Sequence, residues 1–542
     1  MLSEKETGNI ETRLLKPIHW IAVLVALAIN VAWANWLSPI PWGNDFGGLG
    51  LTTVLMDRHG WKYCISDNWG FAHTSLHYLL TKLTGDLWLS SRLICTLSLV
   101  LLVYASEKVM RSTFDVRSAS VRTFFLLALA VSPLVTSLSL CYYLETVAIT
   151  LFMAALALLW VRQPMMHIVG GLVATSGYWF RFHFLVFGAF YCILVYFSRY
   201  TDRPKQRAFW SAAGFGLAVL VSSTVCKLST GSWSTSNQKA VLAVWTPDYS
   251  WDFDYQVGLD SLGYKEIWSH IDWHLMLHTF AKNWISNPQF VVTVCLLLFV
   301  FFLVMQRKSS NTSWSFKKVL QVFQNPLVSI MTFVLLAIAP FMVIRGEMNY
   351  RLSADFLIFS VPWLAGVYAH CTRKMETPLA PPACLGNDRG AKWIRLIARC
   401  LVIMAVVSLT VISAPRTYSY YYNCYKSWQS KDLEIDTVIP EKVRGRTPDL
   451  VWCPSYHPNK ADRYWLWRPT VYYGWPVRSA AFRQLLGFIR LDDVPALARQ
   501  GKIRYIIFEK ALPAPAWDMI PVEVVKQKHI LDQVVIMELN NE

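Results

Sequence analysis

The sequence predicts a polytopic α-helical membrane protein of about eleven transmembrane helices, followed by a small C-terminal extracytoplasmic α/β domain, and three observations carry that prediction. Hydrophobic residues make up 54% of the 542 and charged residues only 16%, against roughly a quarter charged in soluble domains, so the chain has too little polar surface to face water all round. Apolar runs approaching the length that crosses a bilayer, about 17 to 25 residues, recur along most of it. The basic residues, 51 Lys and Arg against 35 Asp and Glu, concentrate between alternate runs, as the positive-inside rule requires. The same composition excludes intrinsic disorder, and 11 cysteines in a chain of this length are too sparse for a disulfide scaffold.

Taken in order, the apolar runs fall near 18–37, 87–105, 123–140, 146–161, 165–180, 184–198, 208–226, 289–306, 327–344, 352–371 and 398–414. The first is followed by Trp-rich sequence with prolines rather than by a small-residue cleavage site, so it is expected to stay as an anchor. With the N-terminus in the cytoplasm, the cytoplasmic pieces hold 22 Lys/Arg and 8 Asp/Glu, the segment after 415 holds 18 and 14, and everything else holds 11 and 13. The net charge of +16 is therefore mostly a topological address, which removes the support for a nucleic-acid partner. Residues 1–414 form the membrane domain, with a first outer loop at 38–86 and a fourth at 227–288, the latter rich in Trp.

Residues 415–542 are expected outside. Asp449–Trp452 and Arg504–Phe508 read as buried strands, with helical patterns around Ala480–Ile489 and Asp493–Arg499 between them. Cys424 and Cys453 both fall in this segment, and an oxidising compartment would allow them to pair.

Ionisable residues at span ends are costly unless used or paired. On the outer side these are Asp45, Asp57, Asp67, His73, Glu145, Arg181, His183, Arg345, Glu347, Arg351 and Asp355. The cytoplasmic loops are short and basic, with no glycine-rich phosphate cradle, which excludes a cytosolic nucleotide-using site. Asp248, Asp252, Asp254 and Asp260 lack the Gly and terminal Glu of a calcium loop and read as a solvated acidic loop. Asn311-Thr312-Ser313 is a glycosylation sequon on the predicted cytoplasmic side, where it would be idle.

The stretch from Pro41-Trp-Gly-Asn-Asp45 through Gly60-Trp61 to Asp67-Asn-Trp-Gly-Phe-Ala-His73-Thr-Ser-Leu76 and Gly85 resembles the first outer loop of the GT-C superfamily of membrane glycosyltransferases. Arg92, Ser132-Pro133, Glu145, the run Gly170 to Arg181, and Asn349-Tyr350-Arg351 with Pro362 extend the resemblance, in order, over about residues 20–370. By layout the chain is most similar to the lipid A aminoarabinose transferases and the bacterial protein O-mannosyltransferase-like enzymes.

The resemblance implies transfer of a sugar from a polyprenyl-phosphate donor to a lipid, glycan or protein acceptor hydroxyl, on the outer face of a bacterial inner or plasma membrane. A general base would activate the hydroxyl while cationic groups hold the leaving phosphate. Asp45 is the base candidate and Glu145 a second carboxylate that orients the acceptor, binds an ion or shares the base role; Arg351, Arg181 and His73 are the donor-phosphate candidates. Phe46 stands where many members carry a second carboxylate, so a divalent metal ion is the one cofactor left open, and Thr74-Ser75 replace two prolines, which leaves the acceptor open.

Each residue has a plainer reading beside this one. Asp45 could be a helix N-cap, Glu145 an interfacial carboxylate, Arg181 and Arg351 snorkelling anchors, and His73 a packed histidine. Two other functions stay open: a cell-envelope polysaccharide polymerase or ligase using polyprenyl-linked substrates, and a membrane transporter, which the lack of internal repeats disfavours.

Overall fold

A computed structural model describes residues 14–37, 60–65, 70–159, 163–181, 184–197, 203–231, 263–278, 361–369, 433–439, 450–453, 465–466, 489–490, 494–509 and 520–540, with short gaps inside several stretches, and isolated residues elsewhere. Nine helices build the described membrane part: α1 Pro17–Leu37, α2 Phe71–Thr84, α3 Leu87–Ser112, α4 Ala119–Ala130, α5 Pro133–Leu140, α6 Leu144–Ala157, α7 Met166–Ser176, α8 Phe184–Phe197 and α9 Pro204–Thr230. Among the described residues, Pro17–Trp36, Leu89–Ser112 and Pro204–Thr230 are long and apolar enough to cross a bilayer. The predicted runs at 289–306 and 327–344 lie outside the described residues.

Helix α1 leaves Ile18, Ile21, Val25, Ile29, Trp33 and Trp36 exposed, while Val23, Leu27 and Ala34 are buried. That is the inverse of a water-soluble surface, and it is what a helix between a protein core and lipid requires. The core itself is continuous, running from Leu99, Leu102 and Met110 of α3 through Phe125 and Leu129 of α4 and Phe152 of α6 to Phe184, Phe187 and Tyr191 of α8.

The run at 123–140, read as one span, is two helices. Pro133 supplies no backbone N–H and its ring excludes a continuous helix, so α4 stops at Ala130 and α5 restarts at Pro133. Asn30 of α1 meets the break: its Nδ2 donates to the carbonyls of Ala130 at 2.7 Å and Ser132 at 3.1 Å, and its Oδ1 accepts from the Thr136 hydroxyl. Backbone groups exposed by a broken helix must find protein partners inside a membrane, and here one buried side chain serves both sides of the interruption. Helices α7 and α9 approach closely through small residues. A Cβ on Gly171 would lie 2.0 Å from the Ser211 carbonyl oxygen, and one on Gly214 would lie 2.1 Å from that of Ile168, so only glycine permits this backbone contact.

At the end of the bundle holding the α3–α4 connection, Glu107 sits in a buried charge cluster. Its Oε1 lies 3.2 Å from Arg122 Nε and 3.5 Å from Arg111 Nε, and Arg122 also donates to the Val116 carbonyl at 2.7 Å. Residues 361–366, inside the predicted run 352–371, are helical, and Gly366 abuts Phe114 at this same end.

In the C-terminal part a four-stranded sheet has the order β1, β4, β6, β5, where β1 is Leu450–Cys453, β4 Tyr505–Glu509, β5 Val525–Ile530 and β6 Val534–Leu539. β1 and β4 run parallel, with Leu450 opposite Tyr505; β4 with β6 and β6 with β5 are antiparallel. Ile506 and Phe508 pack on one face with Val494 and Ala498 of helix α11, Val494–Arg499, while Tyr505 and Ile507 pack on the other with Ile435 and Ile439. A strand buried on both faces reads as an unbroken apolar run, which is why Arg504–Phe508 shows no alternation. The short helix α10, Tyr264–Ser269, lies in the fourth predicted outer loop. Of the predicted helical pattern at Ala480–Ile489 only Ile489 is described, and it belongs with Arg490 to β3, paired antiparallel to β2, Trp465–Leu466. The side chains of Cys424 and Cys453 lie outside the described residues.

Candidate functional site

Three of the five candidate residues, His73, Glu145 and Arg181, are described, and the fold gathers them at one end of the bundle. Glu145 occupies the first turn of α6, where a carboxylate is favoured by the exposed N–H groups and the positive end of the helix dipole. It is 1% exposed. Arg181 follows the 3₁₀ turn Gly177–Trp179 that ends α7, so the predicted run 165–180 closes in a tighter turn rather than a full helix. Its Nε donates to Glu145 Oε1 at 2.8 Å across 36 positions of sequence. The two candidate groups of opposite sign are thus one ion pair.

The turn carrying Arg181 is fixed from three sides. Trp179 Nε1 donates to the Ala218 carbonyl of α9 at 2.9 Å, the Phe184 N–H donates to the Arg181 carbonyl at 3.0 Å, and the Gly70 N–H donates to the Phe180 carbonyl at 3.1 Å. Gly70 has to be glycine at this contact, since a Cβ there would lie 2.1 Å from the Trp179 carbonyl oxygen. The Phe71 ring packs on Trp179 at 5.6 Å. The Gly70–Phe71 end of the stretch with the GT-C-like sequence is therefore anchored directly beside Arg181.

That anchor opens α2 and sets His73 and His77 one turn apart, 2% and 1% exposed. Their rings lie 4.2 Å apart, and His73 meets Phe180 edge-on at 6.5 Å. Burial first, then His77 and the positive charge of Arg181, hold the His73 imidazole well below its usual range. Burial likewise lowers His77, to about 4, against the opposing effect of its hydrogen bond to the His73 carbonyl. Both rings are neutral near pH 7, so His73 offers an N–H dipole beside Arg181 rather than a second cation.

His77 was not among the sequence candidates. Its signal was the spacing His73-Thr-Ser-Leu-His77, which places two imidazoles on one helical face. Asp45 and Arg351 lie outside the described residues, as do Asp57, Asp67, His183, Arg345, Glu347 and Asp355. Among the described residues no three His, Cys, Asp or Glu side chains group as a metal site, and Glu145 is engaged by a guanidinium.

No family model and no curated protein matches the sequence. The fold does match solved structures. Over 96% of this chain and 97% of the other, it superposes on apo ArnT from Cupriavidus metallidurans with a TM-score of 0.51 at 14% identity. The chain has the ArnT fold. A second ArnT structure from that organism, bound to undecaprenyl phosphate, matches with a TM-score of 0.49 at 13% identity, over 95% of this chain and 97% of the other. That shared fold is the architecture of a polytopic helical membrane protein, in agreement with the lipid-facing surface of α1. Within this fold the segments at α2, α6 and the exit of α7 bring His73, Glu145 and Arg181 together.

Proposed function

We propose that the protein is an integral membrane glycosyltransferase that moves a sugar from a polyprenyl-phosphate donor to an acceptor hydroxyl on the extracytoplasmic face. The observation that carries this reading is the buried Glu145–Arg181 pair beside His73, built from the segments whose sequence resembles the GT-C pattern, in a chain with the ArnT fold. Transfer makes a phosphate leaving group, and a guanidinium fixed before the reaction meets its charge without reorganisation. Glu145 orients Arg181 through this contact. That assignment makes Glu145 a positioning carboxylate and leaves Asp45 the general base, with Arg351 a further phosphate ligand. Residues 415–542 form an extracytoplasmic domain in this reading, and the N-terminus is cytoplasmic.

The test is transfer of radiolabelled sugar from a polyprenyl-phosphate donor in proteoliposomes. Asp45→Asn, Glu145→Gln and Arg351→Ala are compared with the parent at equal amounts of folded protein. Loss of a general base slows such reactions by about 10² to 10⁴, so Asp45→Asn should fall by at least about a hundredfold. Full activity in that variant would remove the base assignment. Absence of transfer from any lipid-phosphate sugar by the parent protein would remove the function.

A further inference from the structure

His77 is as fully buried as His73 and has no task in transfer as described so far. Its Nδ1 is 2.8 Å from the His73 carbonyl oxygen. A carbonyl only accepts, so in the neutral ring Nδ1 carries the hydrogen and Nε2 is a bare acceptor. That Nε2 is buried and has no hydrogen-bond partner. A buried acceptor left unmatched is unfavourable unless a donor arrives in some state of the protein. Among the described residues the His73 ring, 4.2 Å away between centroids, is placed to provide one, and it stands beside Arg181.

We propose that His73 and His77 form a proton-accepting pair, in which a phosphate docking at Arg181 draws one proton onto His73 and His77 Nε2 accepts the resulting N–H. The proposal rests on the polyprenyl-phosphate reading above and adds that the donor or product phosphate binds together with a proton. Without the anion the pair is neutral, because burial and Arg181 oppose a second positive charge. With the anion present that opposition reverses in sign. One proton enters from solvent as the phosphate docks and leaves as the lipid phosphate departs; no covalent bond changes.

The groups around the pair agree with this assignment. The 3₁₀ turn leads into Arg181 with Glu145 bound to it, α3 carries Arg92, and α9 carries Cys226 and Lys227 in its last turns. Arg181 is the one among these whose charge acts on His73. His77 is accordingly a positioning residue: it fixes where the proton on His73 points, and its own tautomer is fixed by the backbone of the residue it serves.

The experiment measures binding of a polyprenyl phosphate, with the neutral polyprenol of equal length as control, to the full chain in nanodiscs between pH 5.5 and 8. Uptake of one proton tightens binding as pH falls, by up to about tenfold per unit between the bound and free pKa of the pair. His77→Asn keeps a donor for the His73 carbonyl but has no acceptor at the Nε2 position, and should show only the slope of the lipid phosphate's own titration. His77→Gln restores an acceptor and should recover part of the extra slope. In ¹⁵N-histidine spectra of the parent, one imidazolium should appear on adding the lipid phosphate and be absent in His77→Asn. Equal slopes in parent and His77→Asn, or no imidazolium with lipid bound, overturn the pair while leaving the lipid-phosphate reading standing. Failure of the parent to prefer the phosphate over the polyprenol at any pH overturns both.

Discussion

At the scale of single residues the Glu145–Arg181 pair is both the most exacting contact and the one that best joins stability to function. Glu145 is almost wholly buried and Arg181 largely so, with side-chain exposures of 1% and 18%. Removing one partner of such a pair leaves an uncompensated charge, typically at a cost of about 3 to 5 kcal/mol, whereas replacing both is far milder. Thermal unfolding in detergent should therefore show Glu145→Ala strongly destabilised and the double variant Glu145→Ala with Arg181→Met substantially recovered. A double variant no better than the single would mean that Glu145 acts mainly through other contacts. Both residues were named from their cost at span ends, and that much was legible in sequence. Their pairing was not, because two charges 36 positions apart meet only once α6 and α7 are packed.

At the scale of elements the membrane helices depend on small contacts placed where lipid offers no substitute for water. Asn30 is the clearest case, with two donated bonds and one accepted across the α4–α5 break. Hydrogen bonds between membrane helices contribute about 0.6 kcal/mol on average and up to nearly 2. Asn30→Leu, which removes all three, should lower stability by about 1 to 3 kcal/mol in a reversible denaturation or steric-trapping measurement. An unchanged stability would show that the broken helix satisfies its carbonyls another way. Ser132-Pro133 was visible in the sequence as part of a family pattern and the interruption follows from proline chemistry. That α1 should supply the cap was not visible, since one asparagine in an apolar run does not disclose its partner. In the C-terminal part, β1 and β4 were read correctly from their apolar runs, whereas β5 and β6 passed unnoticed. Val525–Ile530 reads Val-Lys-Gln-Lys-His-Ile and is mostly exposed, so its strand character comes from pairing with Val534–Leu539 rather than from a pattern of its own.

At the scale of the whole molecule, the charge distribution sets a direction that can be tested without any knowledge of substrate. Bacterial alkaline phosphatase, active only outside the cytoplasm, fused after Glu542 should be active, and the same reporter fused near residue 310 should not. The reverse pattern would place the Glu145–Arg181 end of the bundle in the cytoplasm and overturn an extracytoplasmic reaction. The amino-acid sequence by itself determined that the chain is a membrane protein and roughly where most of its described apolar helices fall, although it missed Phe71–Thr84 and merged the two helices of 123–140, and it singled out the charged residues at span ends. It could do so because each is a local quantity: a run long enough to cross lipid, a proline without an N–H, a carboxylate at a span end. Only the tertiary structure decided that Glu145 is spoken for by Arg181, that Gly70 at the start of α2 docks onto the turn beside it, and that His73 is a neutral ring with His77 behind it. Those properties are energies of neighbours and of burial, and neither exists until distant segments exclude water from one another.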